Sequence, residues 1–551
     1  MDHDYGSLQA AVDAAAGKTL VLTASHRLSV AVNVGGATRS PVHIMAMPGV
    51  VITQTGDGQD GFRIGSDDCI LDGLTIVFEC TNTSSNCQSG SGIRALAGVR
   101  RPIIRGCKVV NWRYGYTFNG VKGGRIEGCW AWGGSADGAA SSDFFLYAES
   151  GNPNDRIDVE GCFALSNNDN GFSIATNSGE RNVHIRGCLA VPCDPTGTTE
   201  LAEGDVRRRY GFVMGYNGNS EILSTVTGCE ARLCAYAGFY SQGGALPAGT
   251  VAWSNLVASR CGFGTFFPQD SSLRAGFLII SGGADTWTGL VAADCHHAGI
   301  KFCPDFGYSN TNGMRASFSA ITIARTEGYG IWCTNKPAHA VFTGYTITGS
   351  RDAAVYIEAN SHDAGGIVFG DGRVEVNGAK GGFQVSATVG GIDFNQPVTI
   401  AGAIEIVGDG DPTDNEFNSG IWCEGNVRVR GASIKGFHRG VNVREVTAGR
   451  RIDRVFESLV LEDCAFGFNA AGTGTLLATQ SVFRNCATKT YGAFVVGSLI
   501  GEAIHFQTGT LPASGVWAQG DIGWNPSPTI GTPYQYVCVA SGSPGTWISK
   551  I

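Results

Sequence analysis

The chain runs to 551 residues with a formal net charge of −9, 16% charged and 43% hydrophobic side chains, and 81 glycines. So few charges beside so much apolar content exclude a disordered chain, and the lack of a Gly-X-Y period excludes collagen. The acidic balance argues against nucleic acid, which usually calls for a basic face, no apolar run reaches the about 18 residues of a membrane-crossing helix, and no secretory leader is expected from the polar opening Met1-Asp2-His3-Asp4.

At the start, Leu8, Ala11, Val12 and Ala15 fall on one helical face, and the strand Thr19-Leu20-Val21-Leu22 follows. A phrase then recurs: an apolar residue, two positions, Gly-Cys, a polar turn, and a Gly-aromatic strand. Ile104-Arg105-Gly106-Cys107 precedes Tyr114-Gly115-Tyr116, and Val159-Glu160-Gly161-Cys162 precedes Gly171-Phe172-Ser173-Ile174. Ile185-Arg186-Gly187-Cys188 precedes Tyr210-Gly211-Phe212, and Val226-Thr227-Gly228-Cys229 precedes Gly238-Phe239-Tyr240. Its anchor glycines Gly106, Gly128, Gly161, Gly187 and Gly228 are spaced by 22, 33, 26 and 41 residues.

Later copies lack the Gly-Cys: Ala320-Ile321-Thr322-Ile323 before Gly330-Ile331-Trp332, Tyr345-Thr346-Ile347 before Val355-Tyr356-Ile357, and Ala432-Ser433-Ile434 before Gly440-Val441. Short alternating strands at this period, with no helices between, read as coils of a β-solenoid. The expected fold is all-β: a right-handed parallel β-helix over 51–500, an N-terminal helical cap with the first strands over 1–50, and a small C-terminal β module over 501–551. The helix would cover the apolar end of the lumen. Trp517, Trp524, Tyr534, Tyr536 and Trp547 of the last module suit a terminal cap, a glycan contact or an assembly contact.

The 18 cysteines are spread thinly and read as small apolar residues. Cys107, Cys129, Cys162, Cys188 and Cys229 would stack in the lumen, with Cys234, Cys261 and Cys295 in a second column. Cys80 and Cys87, on either side of a polar loop, are the best disulfide candidates. No Cys/His spacing of a zinc site occurs, and neither metal nor cofactor is expected.

The opening Tyr5–Ala16 with Thr19–Leu22, and the closing Gly509–Pro512, Gly520–Asn525 and Cys538–Trp547, resemble the ends of pectate-lyase-like β-helix proteins, a superfamily that includes bacteriophage tailspikes and polysaccharide depolymerases. The resemblance implies a polysaccharide substrate, a homotrimer, and a place on a virion tail or outside the cell. That superfamily hosts several reactions, so the reaction must come from the site.

Alternation puts Phe239 inward and Tyr240 outward. Continued through the following copies, the outward row becomes Tyr240, Phe267, Lys301, Trp332 and Tyr356, against inward Phe266, Ile300, Ile331 and Val355. Exposed rings in a row suit the C–H faces of sugars, although a subunit interface would use the same face. Gln242, Gln269, Asp270, Asp305 and Glu358 lie next along these strands and turns. The insertion Asp194–Arg209 adds Glu200, Glu203 and Asp205 beside Arg207, Arg208 and Arg209, with Arg208 a candidate substrate contact.

Glycoside hydrolysis needs a protonated and an ionised carboxyl flanking the bond. Asp270, Asp305, Glu327 and Glu358 are the candidates. Elimination from a uronate polymer would instead use Lys301, the arginine run or one of His296 and His297. A binding protein without catalysis fits the same features. The expected function is a depolymerase of bacterial capsular or exopolysaccharide, a hydrolase first and a lyase second.

Overall fold

The computed structural model describes residues 7–35, 40–56, 58–79, 90–133, 141–147, 152–167, 169–175, 181–194, 196–216, 223–243, 250–264, 273–280, 284–302, 314–333, 338–359, 366–376, 381–387, 398–411, 415, 417–424, 427–444, 455–471, 476–491, 494–500, 503–513, 517–542 and 544–551. It divides into two compact units, one of residues 1–301 and 306–316, the other of 302–305 and 317–551. No described helix is long and apolar enough to cross a membrane. Phe267, Gln269, Asp270, Asp305, Cys80 and Cys87 lie outside the described residues.

In the first unit the Gly-Cys phrase is a corner. Each anchor glycine takes left-handed backbone, with φ from +57° to +61° at Gly106, Gly128, Gly161, Gly187 and Gly228, a region glycine enters without a Cβ penalty. The preceding residues Arg105, Glu127, Glu160, Arg186 and Thr227 pair one above the next, so the corners stack in register. The cysteine after each corner points inward and is at most 2% exposed. Its thiol donates weakly to carbonyls, as Cys129 does to Glu127 at 3.4 Å and to Ile104 at 3.6 Å. Asn255 and Gly289 continue the corner at φ +53° and +68°, and buried Leu256 and Leu290 replace the thiol.

Around these corners the strands form three ladders, parallel throughout. The first runs from Thr19–Leu22 through Ile103–Arg105 to Leu223–Thr227 and beyond. The second runs from His26–Leu28 through Lys108–Val110 to Glu230–Arg232. The third runs from Val32–Val34 through Tyr114–Asn119 to Ala237–Gly243 and Ala275–Ile279. Coil pairing therefore starts at Thr19. Ahead of it the helix Leu8–Ala14 is capped by Ser7, whose hydroxyl accepts from the Ala10 amide, and buries Leu8, Ala11 and Val12.

The lumen of the third ladder holds one aromatic column. Tyr116, Phe144, Phe172, Phe212, Phe239 and Phe277 stack at 4.6–5.1 Å between centroids, close to the strand spacing of about 4.8 Å. Each ring removed from water is worth roughly 1.5–3 kcal/mol, and stacking adds about 0.5–1.5 kcal/mol per pair. The glycine before five of the six rings is required by close approach; before Phe144 the place is taken by Asp143. A Cβ at Gly211 would lie 2.6 Å from the Gly238 carbonyl oxygen, and one at Gly171 would lie 2.6 Å from that of Gly211.

The second unit repeats the plan. Its third ladder comprises Tyr329–Cys333, Val355–Ala359, Phe383–Ala387, Ser419–Cys423, Arg439–Arg444, Phe466–Ala471 and Thr488–Tyr491. Left-handed corners persist at Gly344, Gly431, Ser458 and Gln480, which is why the coils continue where the Gly-Cys phrase fades. After Phe494–Ile500 pairing turns antiparallel with Ala503–Gln507, and Gln535–Ala540 pairs antiparallel with Ile522–Trp524 and Thr546–Lys550. Phe506, Trp517 and Cys538 form the core there with Trp547 against them, whereas Trp524 and Tyr534 are exposed. Each unit is thus a parallel β-helix by its own pairings.

Candidate functional site

Strand alternation on the third ladder of the second unit sorts side chains by face. Ile331, Val355, Phe383, Ile421 and Val441 point into the lumen and are fully buried. Their neighbours Trp332, Tyr356, Gln384, Trp422 and Asn442 form the outward column, paired in that order. Tyr329 adds a third ring beside the first two, 4.8 Å from Tyr356 in a stacked geometry and 5.1 Å from Trp332. Trp332 and Tyr356 lie 6.1 Å apart. Further along, Phe417 packs against Trp422 at 5.7 Å.

Two residues beyond each ring position runs a polar column. Glu358 pairs with Ser386. Glu424 follows Cys423, the partner of Val385, and its amide donates to the Val385 carbonyl at 2.9 Å. The Ser386 hydroxyl donates to the Glu424 carboxylate at 3.4 Å. Arg444 follows Val443, the partner of Cys423, and so stands one coil beyond Glu424. The order is acid, hydroxyl, acid, cation. Glu358 and Glu424 are two coils apart, about 9–10 Å at the backbone.

Burial, then the Glu358 carboxylate, pushes Tyr356 up to about 12. Burial also raises Tyr329, with Asp352 and Glu358 adding to it. Glu358 therefore sits within electrostatic reach of both rings, and the phenols remain protonated donors at neutral pH.

Of the residues expected from sequence, Trp332, Tyr356 and Glu358 come together here, and exposed Glu327 lies in the turn just before Tyr329. Tyr240, Gln242, Lys301 and Arg208 belong to the first unit. Tyr240 points outward as expected, yet is 8% exposed and stacks on Tyr210 at 4.8 Å. Gln242 is in the same strand, its backbone opposite Gly215. The residue that pairs with Tyr240 in the following coil is Leu278, which corrects the alignment with Phe267. That coil makes a longer excursion before its strand, and counting from the previous glycine lands too early. Lys301 is 1% exposed, so it offers no surface cation.

Arg208 is a second correction. It is fully buried, with its guanidinium 2.7 Å from the Asp143 carboxylate. It also donates to the carbonyls of Ala164 and Ser166. A charge spent inside the lumen cannot meet a substrate. The rest of the insertion is pinned as well. Glu200 bridges Arg232 and Arg260, Glu203 meets His296 at 3.3 Å, and Arg209 meets Asp169 at 3.0 Å.

Sequence reasoning missed Tyr329, Ser386, Trp422 and Glu424. A signal existed: Gly330-Ile331-Trp332-Cys333 recurs as Gly420-Ile421-Trp422-Cys423, and Glu424 follows directly.

No protein-family model matches the chain, and no curated protein matches it. Among solved structures it is similar to a tailspike protein of E. coli bacteriophage HK620 in complex with a pentasaccharide, at 11% identity over 98% of this chain and 88% of that one, with a TM-score of 0.41. It is similar to the pectate lyase Pel9A at 15% identity over 60% and 73%, TM-score 0.36. It is similar to PfbA, a surface adhesin of Streptococcus pneumoniae, at 9% identity over 100% and 95%, TM-score 0.31. The fold is the parallel β-helix. On this β-helix the outward column of the second unit is the face where rings and carboxylates converge.

Proposed function

We propose that the outward face of the third ladder in the second unit binds a polysaccharide and cleaves it by glycoside hydrolysis. The observation that carries this reading is the in-register pairing of the half-buried rings Trp332 and Tyr356 with an acid column, Glu358 and Glu424, while Trp422 further along is buried. Sugar C–H faces stack on the rings while Gln384, Ser386 and the phenols take the hydroxyls. Glu358, beside two partly buried rings, is the proton donor to the glycosidic oxygen. Glu424, followed in its column by Arg444, draws the proton from the attacking water. Their spacing of about 9–10 Å by coil rise sits at the wide end of the roughly 6.5–9.5 Å carboxyl separation of inverting enzymes.

Capsular or exopolysaccharide of bacteria is the proposed substrate, and a homotrimer working on a virion tail or outside the cell is the proposed setting, both following from the resemblance of the sequence. The test is incubation with a panel of such polymers. New reducing ends without the ultraviolet absorbance of an unsaturated uronate are expected, and Glu358→Gln and Glu424→Gln should each abolish them while the polymer still binds. Absorbance appearing with the ends would replace hydrolysis by elimination. Binding with neither signal would leave a glycan-binding protein.

A further inference from the structure

In the first unit a cleft of ≈ 520 Å³ opens at the corner that leads into the first ladder, lined by Arg100, Arg101, Lys122, Arg125, Arg156 and Asp158. Five cations line it with the Asp158 carboxylate, and Asp67 accepts from the Arg100 amide at 2.8 Å, on a chain whose net charge is −9. Three successive coils supply them, since Arg100 pairs with Lys122 and Lys122 with Asp155, the neighbour of Arg156. Arg101 and Arg156 hold left-handed backbone, φ +52° and +57°. That conformation costs an L side chain about 1–2 kcal/mol.

Nearby carboxylates account for only part of this charge. Arg101 makes a two-pronged bond to Asp68, at 2.6 and 2.7 Å. Arg156 meets Asp155 at 3.4 Å. Arg125 reaches Glu127 at 3.5 Å and Asp158 at 4.0 Å. Among the described residues, Arg100 and Lys122 have no carboxylate within ion-pair distance. Adjacent coils set them about 4.8 Å apart at the backbone.

We propose that this cleft is a second, non-catalytic site that binds a polyanionic glycan, with Arg100 and Lys122 taking its carboxylate, sulfate or phosphate groups. A guanidinium fork matches each of these oxyanions. Cations spread over three coils cover about 10 Å along the ladder, longer than one oxyanion and suited to a chain with repeated charges. The proposal uses the polysaccharide reading above only to choose the polymer, and it needs neither Glu358 nor Glu424.

The test measures binding of the full chain to polygalacturonate, dextran sulfate, uncharged dextran and a DNA oligonucleotide at low and moderate salt. The charged glycans are expected to bind and to weaken as salt rises. The double substitution Arg100→Ser/Lys122→Ser should loosen them about tenfold with little change in melting temperature, since Arg100 is exposed and Lys122 half-buried. Comparing polygalacturonate with dextran sulfate tells carboxylate from ester anions. Glu358→Gln should leave these affinities unchanged, which separates this site from the cleavage site. Charged glycans binding no better than dextran, or no response to the double substitution, would overturn the proposal. An oligonucleotide held as tightly through the same two residues would overturn the assignment to a glycan.

Discussion

Asp143 occupies a place that glycine holds in the coils on either side, in line with Gly115 and Gly171, and it receives the Arg208 guanidinium at 2.7 Å with neither side chain exposed. The Arg208 guanidinium fills the space a Cβ at Gly171 would need, 2.9 Å from that position. The long insertion thus sends one arginine back to complete the lumen. Burial raises the Asp143 carboxyl to about 6 against the pull of Arg208.

Breaking this pair from one side should be far worse than removing it. Arg208→Met alone leaves the Asp143 carboxyl buried without its cation and is expected to cost about 3–5 kcal/mol in denaturant unfolding at pH 7. The double variant Asp143→Gly/Arg208→Met restores the glycine of the column and should recover most or all of that loss. A double variant as unstable as Arg208→Met would contradict this account.

The same pair gives a pH dependence of fixed sign. Because the folded carboxyl titrates near 6 and the unfolded one near 3.8, the folded state holds the extra proton between these values. Its stabilising contribution is full below pH 3.8 and is lost as pH rises through about 6, by about 3 kcal/mol in all. Unfolding free energies measured from pH 3.5 to 7 should show this fall in the wild-type chain and lack it in the Asp143→Gly/Arg208→Met background.

Two kinds of glycine should respond differently to alanine. At Gly211 the new methyl meets the Gly238 carbonyl oxygen at 2.6 Å. Backbone must shift, so the expected loss is about 2–3 kcal/mol. At Gly187 nothing lies within 4 Å and only the left-handed backbone, φ +58°, is strained, so the expected loss is about 1–2 kcal/mol. Thermal melting of the two variants side by side checks the order.

The lumen thiols should be silent until the coils open. Cys107, Cys162 and Cys261 are buried, and burial pushes their thiols well above the ordinary range. A thiol reagent at pH 8 is expected to label them only as fast as unfolding exposes them. Rapid labelling of these three in the native protein, read by peptide mass, would show that the lumen breathes.

At the site, Trp332→Ala should weaken polysaccharide binding about tenfold through loss of one stacking ring, with little change in melting temperature because the side chain faces outward. Phe383→Ala, two coils on and inward, should do the opposite: a loss of about 3–5 kcal/mol in stability. Titration calorimetry beside thermal melting separates the two roles.

The coil itself was legible in the chain because its cause is local. A left-handed corner selects glycine, the next inward position selects a small apolar thiol, and close packing of the third ladder selects glycine before most of its rings. Those demands recur through most of the early coils, so Gly106-Cys107 and Gly161-Cys162 announce the same corner. Where Ser458 or Gln480 takes the left-handed place, the motif fades although the geometry continues.

What the tertiary structure alone decided is which coil faces which. Alternation correctly turned Tyr240, Trp332 and Tyr356 outward, because it depends only on the neighbouring residue. The partner in the next coil depends on how far the chain wanders before returning, and this differs from coil to coil. So Leu278 rather than Phe267 lies beside Tyr240, Arg208 folds into the lumen instead of reaching water, and Glu424 arrives beside Ser386 from 38 residues away. Period-two sterics are written residue by residue, whereas register is settled only when whole coils stack to bury their common core.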